Sequence, residues 1–209
     1  MWRSGNSRHG DRCRLLRAAV GGREREDPGN GRRGLLLVSE RVYNVLFLCT
    51  GNSARSIIAE TLLNAMGKGR FRAYSAGSHP SGQINPYVAE YLESVGENTS
   101  GARSKSWDEF AQPDAPKMDL VITVCDQAAG EKCPVWPGMP AKAHWSAPDP
   151  AAYVEQPDKA REITRDVFHL MQRRISLLLS LPMATLDRMS LQSQARRIAD
   201  ETRATRNPV

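Results

Sequence analysis

The chain has 209 residues, 40% hydrophobic and 25% charged, a composition ordinary for one soluble globular domain with length to spare for tails. Its formal net charge of +6 sits at the ends: residues 1–41 hold ten Arg against five acids and residues 194–209 four Arg against two, which leaves −1 on the body and speaks against a module that reads nucleic-acid sequence. No apolar run approaches the roughly 18 residues of a membrane span, and "LLRAAVGG" is too short and broken for a secretory signal, so a cytoplasmic protein without membrane attachment is expected.

Residues 1–41 mix Gly, Ser, Asn and Arg without any period and bury too little to offset ordering entropy. They are expected to be a basic, disordered N-terminal extension in which Cys13 is a solvated bystander. From residue 42 strands and helices alternate. The apolar run 44–49 reads as a strand and 53–66, with Ile57, Ile58, Leu62, Leu63 and Met66, as a helix. "FRAYSAG" (71–77) is a second strand; 85–96 is a helix with Pro86 near its start and Gly96 near its end. A short helical turn follows at 106–110, a nearly all-apolar and therefore central strand at 119–126, a shorter strand at 142–146, and a long helix at 156–181. The alternation predicts an α/β three-layer sandwich, a four-stranded parallel sheet with helices on both faces, over a catalytic domain at 42–182. Residues 183–209 form a C-terminal tail with weak helical spacing, partly helical and able to pack on the body.

In such sheets ligands bind beyond the carboxyl ends of the strands. Cys49 ends the first strand, Cys125 the third, and Asp149 follows the fourth, so three reactive side chains converge on one edge. After Cys49 comes a turn of small residues, Thr50-Gly51-Asn52-Ser53-Ala54, then Arg55 and Ser56 at the head of a helix. Successive backbone N–H groups in such a turn form an anion nest at the positive end of a helix, and Arg55 adds a planar fork for a tetrahedral oxyanion. A thiol on the floor of that nest is expected to have a depressed pKa, with Ser56 hydrogen-bonded to it. A nucleotide P-loop is excluded because GxxxxGK[ST] is absent.

"CTGNSARS" resembles the C-x5-R-S loop of the low-molecular-weight tyrosine phosphatase superfamily, and "VITVCDQAAGEKCPVWPG" with "HWSAPDP" resembles its arsenate reductase branch, over about residues 43–182. The resemblance implies Cys49 as nucleophile, the amides of Thr50 through Arg55 as oxyanion donors, Asp149 as general acid, and Cys125 and Cys133 as the second and third redox cysteines. Arsenate would be the substrate. A disulfide relay would pass from Cys49–Cys125 to Cys125–Cys133 and on to an external thiol reductant, thioredoxin or glutathione with glutaredoxin. No cofactor is expected to be bound, and no metal, since no Cys/His pair has zinc-knuckle spacing. Asn52, Glu60 and Ser75 match three potassium ligands of some members, but the fourth falls on or beside Lys105, whose ammonium would replace the ion. Ala54 stands where the thioredoxin-linked members have a further cysteine.

Two other functions use the same loop. A tyrosine or small-molecule phosphatase would need Cys49, Arg55 and Asp149 but not the distal thiols, and the Ala-Ala after Asp149-Pro150 lacks the aromatic residue that lines a phosphotyrosine pocket in that branch. A non-enzymatic oxyanion-binding protein would need no Cys–Arg–Asp set. Trp107, Trp136, Trp145 and His144 read as structural. Residues 126–133 are expected to switch with redox state, because eight residues of helix separate Cys125 and Cys133 by about 12 Å, whereas a disulfide tolerates Cα separations of only about 4.4–6.8 Å.

Overall fold

The computed structural model describes residues 41–130 and 136–204; the N-terminal extension with Cys13, and Cys133, lie outside the described residues. The elements are β1 (Tyr43–Cys49), α1 (Arg55–Gly67), β2 (Phe71–Gly77), α2 (Pro86–Ser94), a 3-10 turn (Trp107–Phe110), β3 (Leu120–Thr123), α3 (Asp126–Gly130), β4 (Ala141–His144), a second 3-10 turn (Pro150–Tyr153), α4 (Pro157–Leu179), a third (Met183–Thr185) and α5 (Arg188–Ala204). All strand pairings are parallel, in the order β2-β1-β3-β4, so β1 and β3 are central. This is the expected parallel α/β architecture.

Central strands of a parallel sheet are buried on both sides, which is why β1 is apolar nearly throughout. Val45, Phe47 and Cys49 face a large core with Ile57, Ile58 and Leu62 of α1 and Val167, Phe168 and Met171 of α4. Leu46 and Leu48 face the opposite side, closed by Phe110, Met118 and Trp136. In α4 the buried positions Ile163, Val167, Phe168, Met171, Ile175 and Leu178 recur at helical spacing. Each such side chain contributes about 1.5–3 kcal/mol by leaving water.

Several boundaries differ from the sequence expectation. The third strand stops at Thr123 rather than 126, because Asp126 already opens α3 and Cys125 accepts from its amides. The fourth strand is Ala141–His144, not 142–146, since Trp145 turns into the core. Helix α1 begins at Arg55 rather than Ser53, as Ser53 and Ala54 remain part of the preceding turn. Helix α2 is well capped: Asn85 accepts from the Tyr87 and Val88 amides, Pro86 fills the first turn, and Gly96 beyond the end takes φ 77°.

The tail is more ordered than its spacing suggests. In α5, Leu191, Ala195, Ile198, Ala199 and Thr202 are buried. The helix packs on α4 and along β4, where Gln192 accepts from the Lys142 amide at 3.2 Å and covers a bond the edge strand would otherwise leave open. None of the helices among the described residues is long and apolar enough to cross a membrane.

Candidate functional site

The turn after β1 is shaped by what its carbonyls do. Thr50 O accepts from His79 N, Gly51 O from Ser81 N and Ser53 O from Asn85 N, each at 2.9–3.0 Å, so all three carbonyls are tied outward. In a planar trans peptide the next residue's N–H points the opposite way. The amides of Gly51, Asn52 and Ala54 are therefore turned inward, and the Asn52 N–H donates to Cys49 Sγ at 3.1 Å. Asn52 holds φ 43°, a left-handed conformation that asparagine tolerates better than most residues.

The Asn52 side chain fixes that conformation from beneath. Its Nδ2 donates to Ser56 Oγ at 2.9 Å and Ser75 Oγ at 2.8 Å, and its Oδ1 accepts from the Lys105 amide at 2.8 Å. Because Ser56 Oγ already accepts from Asn52, its own proton is available to Cys49 Sγ, 3.0 Å away. Gly77, at the end of β2, allows this approach: a Cβ there would lie 2.3 Å from Thr50 O.

Beyond Asn52 lie Ser75 and Glu60, the other two residues that resemble potassium ligands of some members, with Lys105 beside Glu60. Ser75 donates to Glu60 Oε2 at 2.5 Å, and Lys105 Nζ lies 3.6 Å from the same oxygen while donating to Arg103 O. The ammonium thus shares the Glu60 carboxylate with Ser75, while the Lys105 backbone amide is the part that meets Asn52. Burial pushes Glu60 up and Lys105 down from their ordinary ranges, against their mutual attraction.

Arg55 reaches across to the loop after β4. Its Nη2 donates to Asp149 Oδ2 at 2.7 Å and its Nη1 to Ala147 O at 3.3 Å, while its buried Nε has no hydrogen-bond partner among the described residues. Asp149 also accepts from the Ala151 amide, as the N-cap of the 3-10 turn. Cys125 follows β3, 2% exposed; its Sγ accepts from Ala128 N at 3.3 Å and lies 3.6 Å from Thr50 Oγ1. The loop residues 50–56, Cys49, Arg55, Asp149 and Cys125 are thereby brought together at one sheet edge.

One expectation is not met. Burial pushes the Cys49 thiol above its ordinary range, and the proximity of Cys125 adds to this, while Ser56, Arg55 and the Asn52 amide pull only part of the way back. The sequence showed the donors but not how completely the loop seals the sulfur from water.

One participant was missed, the Ala147 carbonyl that holds Arg55. For His144, read as structural, the sequence did not show the partners: it bridges Thr123 Oγ1 (2.8 Å) and Asp126 Oδ1 (2.9 Å) at the start of α3. A backbone carbonyl and a long-range side-chain bridge leave no residue-type signal to read.

The structure thus gathers a buried thiol, a turn with inward amides, an arginine and a facing carboxylate at the carboxyl edge of a parallel sheet, a candidate site for cysteine chemistry. The family model described as low molecular weight phosphotyrosine protein phosphatase matches residues 44–191, and the chain belongs to that family. It is 37% identical over 107 residues to a Bacillus subtilis protein named arsenate reductase, covering 51% of this chain and 73% of that one. A protein of the same name from Halalkalibacterium halodurans is 36% identical over the same length. Among solved structures, one described as an arsenate reductase in oxidized state is 26% identical with a TM-score of 0.51, covering 64% of this chain and 96% of that chain. Another, an arsenate reductase in the phosphate binding state, is 27% identical with a TM-score of 0.50, covering 64% and 97%.

Proposed function

We propose that the protein reduces arsenate to arsenite by a thiol relay beginning at Cys49. The observation that carries this reading over simple ester hydrolysis is the second buried thiol: Cys125 sits against Thr50 of the anion loop and bears electrostatically on Cys49. Hydrolysis has no use for it. The names of the relatives at 36–37% identity point the same way.

In this reading the amides of Thr50 through Arg55, those of Gly51, Asn52 and Ala54 being turned inward, hold the tetrahedral oxyanion together with the Arg55 side chain. A neutral Cys49 thiol beside dianionic arsenate is equivalent, in protons and charge, to a thiolate beside the monoanion. Transfer of the thiol proton to the incoming anion therefore generates the nucleophile in spite of the raised pKa. The anion also competes with Asp149 for Arg55, which leaves the Asp149 carboxyl facing the departing oxygen as general acid.

Cys49 sulfur attacks arsenic, and the departing oxygen leaves as water with a proton from Asp149. Cys125, as thiolate, then attacks Cys49 sulfur. The sulfur–arsenic pair stays on arsenic, which becomes arsenite, and the two thiols supply the two electrons as a Cys49–Cys125 disulfide. Cys133 thiolate exchanges into that bond, freeing Cys49, and an external dithiol of the thioredoxin kind reduces Cys125–Cys133.

The test is arsenate-dependent NADPH oxidation with thioredoxin and its reductase, run beside glutaredoxin with glutathione and beside p-nitrophenyl phosphate hydrolysis. Cys49→Ser should lose every activity. Cys125→Ser should lose arsenate turnover and keep any ester hydrolysis. Cys133→Ser should stop multiple turnovers with thioredoxin. Full arsenate turnover by Cys125→Ser would overturn the relay, and ester hydrolysis without arsenate reduction in the unaltered protein would favour the phosphatase reading.

A further inference from the structure

The loop that carries Asp149 is anchored from a direction that the chemistry does not require. Three consecutive residues leave β4 and each is tied to a helix, Trp145 and Ala147 to the sheet end as well. The buried Trp145 Nε1 donates to Ala195 O of α5 at 2.8 Å. Ser146 O accepts from Arg174 Nη1 of α4 at 2.9 Å. Ala147 O accepts from Arg55, which also holds Asp149. Arg174 is 2% exposed, although a buried guanidinium is expensive unless its donors are met. Its Nε donates at 3.0 Å to Thr202 Oγ1, and Thr202 passes its own proton to Ile198 O at 2.8 Å or Ala199 O at 3.1 Å within α5.

We infer that Arg174 and Thr202 are positioning residues for the oxyanion site, and that the C-terminal helix is a working part of it. The hydroxyl of Thr202 orients the Arg174 fork. The fork fixes the Ser146 carbonyl, and the planar peptides that follow set the Ala147 carbonyl and the Asp149 carboxylate against Arg55. Only residues 188–191 of α5 fall within the family match, so Thr202 is a contribution of this chain's own extension. An arginine can make this link and a lysine cannot, because two donors must point to two partners at a fixed angle. A plain packing role would call for neither a buried charge nor a hydroxyl aimed at it.

The inference rests on Cys49 and Arg55 forming an oxyanion site, and the test separates the two. Cys49 of the reduced full-length protein is alkylated with iodoacetate and, in parallel, with iodoacetamide, and its modification is followed by peptide mass spectrometry. The two reagents share one chemistry, but only the first carries a carboxylate for the loop and Arg55 to hold. Their rate ratio therefore reports loop geometry independently of turnover. The ratio in the native protein should exceed that in urea; equal ratios would sink the oxyanion site and this inference with it.

Given a native preference, Thr202→Val, which keeps shape and removes the hydroxyl, should lower the ratio by about fivefold. Thr202→Ser should restore it to within about twofold. Arg174→Met should lower it at least as far; where that variant does not fold, the Thr202 pair decides. A folded Thr202→Val protein with the native ratio, both rates changing together or not at all, would leave α5 a purely structural helix and overturn the inference.

Discussion

Arg55 Nη2 lies 2.7 Å from Asp149 Oδ2, and this ion pair joins the loop after β1 to the loop after β4. The guanidinium must serve two acceptors, so its shape counts as well as its charge. Arg55→Lys keeps the charge but offers no fork, and kcat/KM for arsenate should fall by about 10²-fold. Asp149→Asn should lower kcat by a similar factor of about 10² through loss of the acid. It should also bind phosphate more tightly, since no carboxylate competes for Arg55. Steady-state kinetics with phosphate as competing inhibitor measures both, and a lysine variant of near-normal efficiency would place the oxyanion elsewhere.

Cys49 gives a pH prediction with a defined sign. Burial raises its pKa above the ordinary value of 9.0, so alkylation by neutral iodoacetamide should still be rising above pH 9 in the anion-free protein. Ser56→Ala removes a donor to the sulfur and should move the profile further up. Bound phosphate should raise it again by like-charge repulsion. A profile that levels off below pH 8 would mean that the loop amides outweigh burial.

Gly77 is where the sheet meets the loop. Its φ is not positive, so conformational freedom is not the reason for glycine here; space is. A methyl group would sit 2.3 Å from Thr50 O and 3.0 Å from Asn52 N, both backbone atoms that cannot turn aside. Gly77→Ala should cost about 1–3 kcal/mol in urea unfolding. It should also weaken phosphate binding, because the displaced atoms belong to the anion loop. Native affinity in a stable Gly77→Ala protein would show the loop to be more pliant than its bonds suggest.

The sequence made the sheet and the reactive edge readable for a physical reason. Val45 through Leu48 and Leu120 through Ile122 are apolar on both faces, and Cys49 with Arg55 sits at a strand-to-helix turn of small residues, so period and motif coincide. What could not be read is what depends on distance across the fold. The Arg55 link to Ala147 and Asp149 spans more than 90 positions, and the Arg174–Thr202 link joins two helices. The raised Cys49 pKa depends on burial, which composition at 49–56 does not encode. The pattern of α5 was weak because small residues, Ala195 and Ala199, line its buried stripe and a strongly apolar period is missing.

Helix α3 offers a test of movement. Cys125 Sγ accepts from the Ala128 amide, and His144 holds Asp126, so the described start of the relay segment is wound in the reduced protein. Bonding Cys125 to Cys133 is incompatible with an eight-residue helix, which would hold them about 12 Å apart. Amides from 126 onward should exchange faster in oxidised than in reduced protein, with Gly130 the easiest point to open. Equal exchange in both states, with the Cys125–Cys133 bond verified by mass spectrometry, would rule the switch out.

Lys105 and Glu60 form the charged floor beneath Asn52, 3.6 Å apart and largely out of water. Removing one partner of such a pair is far worse than removing both, because the remaining charge is stranded. Lys105→Met should therefore destabilise the protein by about 3 kcal/mol, and Lys105→Met with Glu60→Gln should recover most of that. The sign with pH follows from Glu60. Its folded pKa lies above 4.5, so the fold binds that proton more tightly than the unfolded chain. Loss of the ammonium raises it further, and the single variant should lose stability as pH climbs past 4.5, more steeply than the native protein. A small monovalent cation is the natural replacement for the ammonium beside Glu60. Potassium should then stabilise Lys105→Met relative to tetramethylammonium at equal ionic strength, while leaving the native protein unchanged. Urea midpoints in the two salts decide it, and a native protein that itself responds to potassium would show that Lys105 does not fill the cation's place.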